Sequence, residues 1–162
     1  MKANGVKVTI KKNNTQAIIA ATSGGKLGKA VQAGGFILET AIKISMAAAS
    51  HTGMLYKRSG KKKAHQASAA GETPAVATGV YINSIITQLV SETPTRAMAE
   101  VGTNSVYANR LELGFMETDS LGRKYQQAPR PHFRPAYDKN KQGMLNSIHY
   151  WAKQNLEQAA KP

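Results

Sequence analysis

The chain has 162 residues, with 22 Lys and Arg against nine Asp and Glu, which gives a formal net charge of +13. This length suits one domain with a single core. Since cysteine is absent, disulfides, thiolate metal sites and cysteine nucleophiles are excluded. A charge of this size predicts attraction to polyanions, either nucleic acid or acidic protein surfaces.

The sequence shows no pattern that predicts membrane insertion or export. It has no run of about 18 uninterrupted apolar residues, the length that a membrane-spanning helix needs. Its first residues, MKANGVKVTIKK, lack the apolar stretch of a secretory signal. We therefore expect no membrane partner, and we expect the protein to assemble in the cytoplasm of a cell.

The N-terminal half shows one strand pattern and one long helix pattern. Residues 6–12 (VKVTIKK) alternate between apolar and polar side chains, which predicts a half-exposed strand, and a short helical turn follows at 15–21. From 26 to 50 the period becomes that of an amphipathic helix. The pair Gly34-Gly35 predicts either a bend or close packing in this helix. Its apolar stripe consists of Leu27, Val31, Gly34, Ile37, Leu38, Ala41, Ile44 and Ala48.

The C-terminal half is predicted to contain shorter elements. Residues 84–90 and 96–102 predict two strands joined by a turn, and 107–114 predict a short helix or turn. Residues 116–127 predict a polar loop with a turn at 119–122. Pro135 predicts the first residue of a final helix. The apolar face of this helix is expected to contain Tyr137, Met144, Ile148, Trp151 and Leu156.

Together these elements predict a single α+β domain over residues 1–162. A small, mostly antiparallel sheet is expected to pack against the long helix at 26–50 and the C-terminal helix. Residues 51–78 form a segment too long for an ordinary connection, so we expect it to be functional or disordered in the free protein. The sequence leaves open whether part of this segment pairs as an extended hairpin arm.

The side chains that could carry out catalysis are scattered along the chain. Glu112 and Glu117 are near enough to pair, but general acid–base chemistry needs more than two nearby carboxylates. The glycine-rich stretch SGGKLGK (23–29) lacks the spacing of a phosphate-binding loop. We therefore expect no enzyme, no cofactor and no metal. The histidines lack metal-binding spacing and carboxylate neighbours; they are His51, His65, His132 and His149.

A run of basic residues, here called the basic segment, lies within 51–78. As a nucleic-acid contact it would bind phosphates without reading sequence, and its affinity would fall steeply with salt. As an assembly arm it would become ordered against an acidic neighbour. The third alternative is a solvated loop without a partner. The basic segment consists of Lys57, Arg58, Lys61, Lys62 and Lys63.

The stretch RPHFRPA (130–136) joins the last loop to the C-terminal helix. Its two arginines, Arg130 and Arg134, are expected either to contact a partner or to bind carboxylates of the chain itself. Phe133 is expected to anchor in the core. We also expect Glu112 and Arg134 to hold the connecting segments together within the subunit.

Three segments, taken in order, resemble the motifs of one family, the neck (head–tail joining or tail-completion) proteins of long-tailed bacteriophages. ASAAGETPAVATGVYINSI (67–85) resembles its proline, Thr-Gly and Ser-Ile segment. VGTNSVYANRLELGF (101–115) resembles the family's strand end, Gly-Thr turn, Tyr-Ala pair and Leu-Glu-x-Gly motif. APRPHFRPAYDKNK (128–141) resembles its entry to the C-terminal helix. The positions that match these motifs are Thr78, Gly79, Ser84, Gly102, Thr103, Tyr107, Ala108, Leu111, Glu112, Gly114, Pro131 and Pro135.

The resemblance implies a structural virion protein without catalysis or cofactor, located in the neck between head and tail. Six or twelve copies would form a ring around the channel for genomic DNA. Its neighbours would be a portal-side adaptor or stopper ring and the tail terminator or tail tube proteins. The alternative, drawn from charge alone, is a nonspecific nucleic-acid-binding protein.

Overall fold

The computed structural model describes residue 19 and residues 25–57, 59–60 and 63–159. The predicted strand at 6–12 therefore lies outside the described residues, as does the turn at 15–21 apart from Ile19. In chain order the elements are the helix α1 (Lys26–Ala47), the strands β1 (Leu55–Tyr56) and β2 (His65–Gln66), the helix α2 (Val80–Asn83), the strands β3 (Ile86–Thr93) and β4 (Arg96–Gly102), the helix α3 (Ala108–Leu113), the strands β5 (Phe115–Thr118) and β6 (Lys124–Gln127), and the helix α4 (Phe133–Ala159).

The described residues form an α+β fold in which every strand pair is antiparallel, which confirms the predicted class. The strands make three separate two-stranded sheets, β1–β2, β3–β4 and β5–β6, where one small sheet was predicted. The β3–β4 hairpin packs on α1, and α1 packs on α4. Helix α1 therefore forms the middle layer. None of the helices in the described ranges is long and apolar enough to cross a membrane.

Two adjacent glycines in α1 allow close packing on both of its sides. A Cβ added to Gly35 would lie 2.5 Å from Thr87 Cγ2 on β3. A Cβ added to Gly34 would lie 2.8 Å from Ile148 Cδ1 on α4. Since real Cβ atoms do not approach this closely, a side chain at either position would force its neighbour to shift. Of the two alternatives predicted for this glycine pair, a bend or close packing, close packing is therefore present.

The core lies where α1, α2 and the start of α4 meet. It contains Ile42, Met46, Ile85 and Ala136, and Phe133 packs against it as predicted. The predicted stripe on α1 was wrong at two positions. Ile44 is 60% exposed, and Ala48 is exposed and follows the last residue of the helix, whereas Ile42 is completely buried. Because α1 contacts neighbours on two sides, its buried residues do not follow one stripe.

Helix α4 begins two residues earlier than predicted, at Phe133, so Pro135 is its third residue. Proline is tolerated there because the first backbone N–H groups of a helix have no acceptor within the helix. Of its predicted apolar face, Met144 and Ile148 are half-buried. The other three members remain between 43% and 48% exposed: Tyr137, Trp151 and Leu156.

Residues 116–127, predicted as a polar loop, belong instead to the β5–β6 hairpin, which pairs Phe115 with Gln127 and Thr118 with Lys124. Most of its side chains are exposed, so no apolar alternation marks the strands. The predicted turn does exist. Asp119 accepts hydrogen bonds from the backbone N–H groups of Leu121 and Arg123, both at 2.9 Å. These bonds stabilise the turn that joins β5 to β6.

The segment 51–78 contains a short antiparallel hairpin, β1–β2, that pairs Tyr56 with His65. Glu72 ties its base together. The carboxylate accepts hydrogen bonds from Thr52 Oγ1 at 2.6 Å and from the Ala69 N–H at 2.8 Å. These bonds, with the Thr52 hydroxyl first, lower the pKa of Glu72 to about 2. The hairpin-arm alternative is therefore present in the described part of this segment.

Candidate assembly surfaces

The three segments that carry the family resemblance meet at one place, here called the junction. The junction consists of Tyr81, Ser84, Thr103, Glu112 and His132 together with the first two residues of α4. Its centre is the Glu112 carboxylate on α3. One oxygen accepts the backbone N–H groups of His132 and Phe133 at 2.9 and 3.1 Å, and the other accepts that of Arg134 at 3.0 Å. Glu112 thus caps the N-terminus of α4 from a distant part of the chain.

These three bonds determine the ionisation of Glu112. Burial alone raises the pKa of its carboxyl, but the three backbone N–H groups and nearby His132 outweigh it, and the pKa lies below its ordinary value. The carboxylate is therefore charged at neutral pH. The negative charge lies against the positive end of a helix, which is the favourable arrangement.

His132 is buried in the junction, with 1% of its surface exposed. Its Nε2 lies 2.7 Å from the Tyr81 hydroxyl, and its Nδ1 lies 3.1 Å from both the Arg130 carbonyl and Glu112 Oε2. This pattern matches a neutral ring that carries its proton on Nδ1 and accepts from tyrosine. Burial lowers the pKa of His132 despite these two acceptors.

Burial also raises the pKa of Tyr81 to about 12, and the Glu112 charge adds to this effect. The tyrosine therefore stays protonated and donates to the histidine. A hydroxyl whose pKa is raised is a weaker nucleophile at neutral pH than a free tyrosine. Although Glu112, His132 and Tyr81 lie in line, the arrangement stabilises structure and does not activate the tyrosine.

The other end of the junction joins α2 to the strand β4. The Ser84 hydroxyl lies 2.6 Å from the Thr103 hydroxyl, directly after Gly102 ends β4. Gly79 is the residue that precedes α2, and the Thr78 hydroxyl accepts a long hydrogen bond of 3.5 Å from the Val80 N–H. The Thr-Gly and Ser-Ile positions of the first segment thus start and end one helical turn.

The remaining motif positions surround α3. Ala108 is its first residue, Tyr107 precedes it, and the Leu111 carbonyl accepts the Arg130 N–H at 2.6 Å. Gly114 follows the helix with a φ of 73°, and a Cβ there would lie 2.6 Å from the Gln127 carbonyl oxygen. Only glycine satisfies both conditions. Pro131 lies between Arg130 and His132, whose backbone N–H groups both bond to α3, and it is half-buried.

The two candidate arginines differ in their contacts. The Arg130 guanidinium donates to the carbonyls of Ser68 and Ala128, at 3.1 and 3.4 Å. The Arg134 side chain is 84% exposed and lies 3.6 Å from Asp138. Its predicted pairing with Glu112 exists through its backbone N–H, while its guanidinium points elsewhere. The carboxylate-binding alternative therefore holds for Arg134 alone, with Asp138 as the acceptor.

The two described members of the basic segment flank the β1–β2 hairpin. Lys57 directly follows β1 and Lys63 stands just before β2, and both are exposed. Arg58, Lys61 and Lys62 lie outside the described residues. Both lysines extend from a hairpin whose base is held together by the hydrogen bonds of Glu72.

Large apolar side chains remain exposed on every layer of the described structure. The β3–β4 hairpin has Ile86 and Val90 on its outer face, at 52% and 45% exposure, and α1 has Phe36 at 52%. Val80 on α2, Leu113 on α3 and Val106 in the turn before α3 are all more than 70% exposed. Exposed apolar patches of this kind are candidates for contact with another protein.

The sequence pattern marks neither Tyr81 as part of this site nor His132 as a buried hydrogen-bonding group. The signal was present, because each residue lies within a segment that carries the resemblance. Among the described residues, no group of three or more His, Asp or Glu side chains is placed to hold a metal ion.

Comparison with protein-family models, with curated proteins and with solved structures finds no match to this chain.

Proposed function

We propose that this chain is a structural subunit of a ring in the neck of a long-tailed bacteriophage, where it joins the DNA-filled head to the tail. The observation that carries the proposal is the junction. The three segments that resemble the neck family are distant in sequence, yet hydrogen bonds between Ser84 and Thr103, and between Glu112 and the start of α4, bring all three together. The junction is thus built from all three segments that carry the resemblance.

The exposed apolar surface supports an assembling subunit. Only five hydrophobic residues are buried in the described part of the chain, whereas large ones such as Met54, Val80 and Leu113 are mostly exposed. Ring closure requires two different patches of one subunit to meet around an axis. The open face of β3–β4 and the exposed side of α1 are candidates for these patches.

The proposed ring has six or twelve copies and surrounds the genomic DNA. It contacts a portal-side adaptor or stopper ring on one side and the tail terminator or tail tube proteins on the other. The proposed role requires no catalysis and no cofactor. The protein would be assembled in the cytoplasm of a bacterial host and would end in the virion. The basic segment would then face an acidic neighbouring ring or line the channel near the DNA.

The decisive experiment disrupts the gene in its phage and examines the particles by electron microscopy. DNA-filled heads that accumulate beside complete, unattached tails are the expected result. Normal infectious virions would reject the neck assignment. A knock-in that neutralises Lys61, Lys62 and Lys63 together separates the basic segment from the ring, because rings should persist while the yield of joined particles falls.

The second candidate is a nonspecific nucleic-acid-binding protein, favoured by the net charge of +13. It predicts that the isolated chain binds DNA of any sequence with an affinity that falls steeply with salt. This binding alone does not decide between the two functions. If gene disruption leaves virions normal and DNA binding is strong, the second candidate replaces the first.

A further inference from the structure

A groove of about 670 Å³ lies between the β1–β2 hairpin, α3 and the β5–β6 hairpin. Its size is that of a site for a small ligand or for several side chains of a peptide. Aromatic rings predominate among its large side chains. They are Tyr56, Tyr81, Tyr107, Phe115 and Tyr125, and His65 lies beside them.

Three of these tyrosines present their rings to solvent. Tyr107 is 64% exposed, Tyr56 is 49% exposed and Tyr125 is 42% exposed. Exposed tyrosines that share one recess are unusual on a free surface, since aromatic rings are the side chains that most often anchor a bound partner. The groove therefore has the composition of a binding site.

Basic side chains outnumber acidic ones around the groove: the acidic neighbours Glu117 and Asp119 are each paired with an arginine, and Asp119 also accepts from the Tyr125 hydroxyl. Arg130 lines it, and its guanidinium hydrogen bonds go to the carbonyl oxygens of Ser68 and Ala128, so its charge is not neutralised by them. Lys57 and Lys63 flank the hairpin that forms one wall, and Lys124 starts the strand that forms another. Arg110 also lines the groove but is already paired with Glu117 at 3.0 Å. The groove thus complements an occupant with negative charge.

The occupant is better matched by an extended peptide than by nucleic acid. Stacked bases need open ring faces in a row. Here the Arg110 guanidinium covers the Phe115 ring at 4.7 Å, and the Tyr56 and His65 rings meet edge to face with centroids 5.6 Å apart. A groove lined by tyrosines is instead typical of sites that hold an extended, proline-containing peptide.

The acidic occupant is unlike any segment of this chain. No two of its nine acidic residues are adjacent in the sequence. All of them except Glu100 accept a hydrogen bond or form an ion pair within the described structure. Another copy of the chain therefore has no acidic stretch to offer. The charge of the groove points to a different protein.

We propose that this groove binds an extended acidic peptide of a partner protein, anchored by a proline or aromatic side chain among Tyr56, Tyr107 and Tyr125. The inference extends the proposed function by naming the chemistry of a partner, but it does not need the ring to exist. The peptide backbone would cross the tyrosine rings, and its carboxylates would face Arg130, which lines the groove.

Fluorescence anisotropy of the full chain with a labelled synthetic peptide tests this proposal. The probe is an acidic peptide of about ten residues with a central Trp-Pro pair. We expect micromolar binding that weakens at least tenfold when Gln and Asn replace every Glu and Asp of the probe. The variant Tyr107→Ala should also weaken binding about tenfold, as expected for an anchoring tyrosine. Since Tyr107 is mostly exposed, this variant should fold normally.

The matched control is Tyr150→Ala, which removes a tyrosine 58% exposed on α4, a helix that does not line this groove. It should bind like the unaltered chain. Equal affinity in the Tyr107 and Tyr150 variants would overturn the proposal, as would failure of the acidic probe to bind at all. Tighter binding of single-stranded oligo-dT, lost in the same Tyr107 variant, would assign the groove to nucleic acid instead. Intact rings without peptide binding would reject the groove and leave the neck role standing.

Discussion

At the junction, one carboxylate receives three backbone N–H groups, and a neutral histidine is buried beside it. At the β1–β2 hairpin, Lys57 and Lys63 are exposed at the tip. The junction thus uses charge to hold the subunit together, whereas the hairpin presents charge to its surroundings. The residues that carry the family resemblance belong mostly to the first region. The features that would select a partner belong to the second.

This difference predicts that the two regions tolerate substitution differently. Hydrogen bonds inside the junction depend on the identity of each residue, because a lost acceptor leaves buried N–H groups unpaired. The basic tip and the aromatic groove are less constrained by the fold. Changes there would alter what is bound while the subunit keeps its shape.

The largest expected effect comes from removing the centre of the junction. Glu112→Ala leaves three backbone N–H groups at the start of α4 without their acceptor, so we expect a loss of about 2–4 kcal/mol in the free energy of unfolding. Urea unfolding followed by circular dichroism measures this loss. Glu112→Gln keeps an acceptor without the charge and should lose less.

Glu117→Ala is the matched control for this prediction. It removes a carboxylate only five positions away, whose side chain is 53% exposed and pairs with Arg110 on the surface. Such pairs contribute about 0–1 kcal/mol. Similar losses in the Glu112 and Glu117 variants would show that the junction is no more important to the subunit than a surface ion pair.

The packing of α1 provides a second way to compare an enclosed position with an open one. Gly35→Ala places a methyl group against Thr87, a branched side chain on the neighbouring strand with little freedom to move. We expect a loss of about 1–3 kcal/mol from overpacking. Thermal unfolding of the Gly35→Ala variant, compared with that of the unaltered chain, measures this loss.

Gly143→Ala has the same chemistry in the opposite environment. This glycine lies within α4, and a Cβ there would meet nothing within 4 Å. The substitution should stabilise the protein by about 0.5–1 kcal/mol, since alanine favours a helix more than glycine does. If Gly35→Ala stabilises the protein as Gly143→Ala does, the contact between α1 and β3 has room for a methyl group and the prediction is wrong.

Some of the fold could be predicted because its patterns are local. The 3.6-residue period identified α1, and the alternation in 84–102 identified β3–β4, since each pattern reflects burial on one side. The β5–β6 hairpin was missed for the same reason. Its side chains are mostly exposed, and it is fixed by the hydrogen bonds of Asp119 instead of by an apolar face.

The junction could be predicted only in part. The sequence indicated that Glu112 holds connecting segments together, but a carboxylate pattern does not distinguish an arginine side chain from the backbone N–H groups of a helix start. The contact between Tyr81 and His132 spans 51 residues, and no periodicity records such a distance. The aromatic groove combines residues from four separate segments, so its tyrosines could be recognised as a group only in three dimensions.

A further expected effect concerns pH. Burial lowers the pKa of His132 below its ordinary value of 6.5, so the unfolded chain binds this proton more readily than the folded chain. Stability from His132 is therefore fully present above about pH 6.5 and is lost as the pH falls from there toward its folded pKa, with a slope of at most about 1.4 kcal/mol per pH unit. Glu112, whose pKa is also lowered, adds a separate loss that begins only near its ordinary value of 4.5.

Urea unfolding at a series of pH values separates these two windows. The His132→Gln variant cannot take up the proton, so its free energy of unfolding should change less between pH 6.5 and 5 than that of the unaltered chain. At pH 8 the variant should be the less stable of the two. Below about pH 4.5 both proteins should lose stability together, because Glu112 is still present. An unchanged slope between pH 6.5 and 5 in the His132 variant would mean that another group titrates there. The junction would then hold its shape without depending on a neutral histidine.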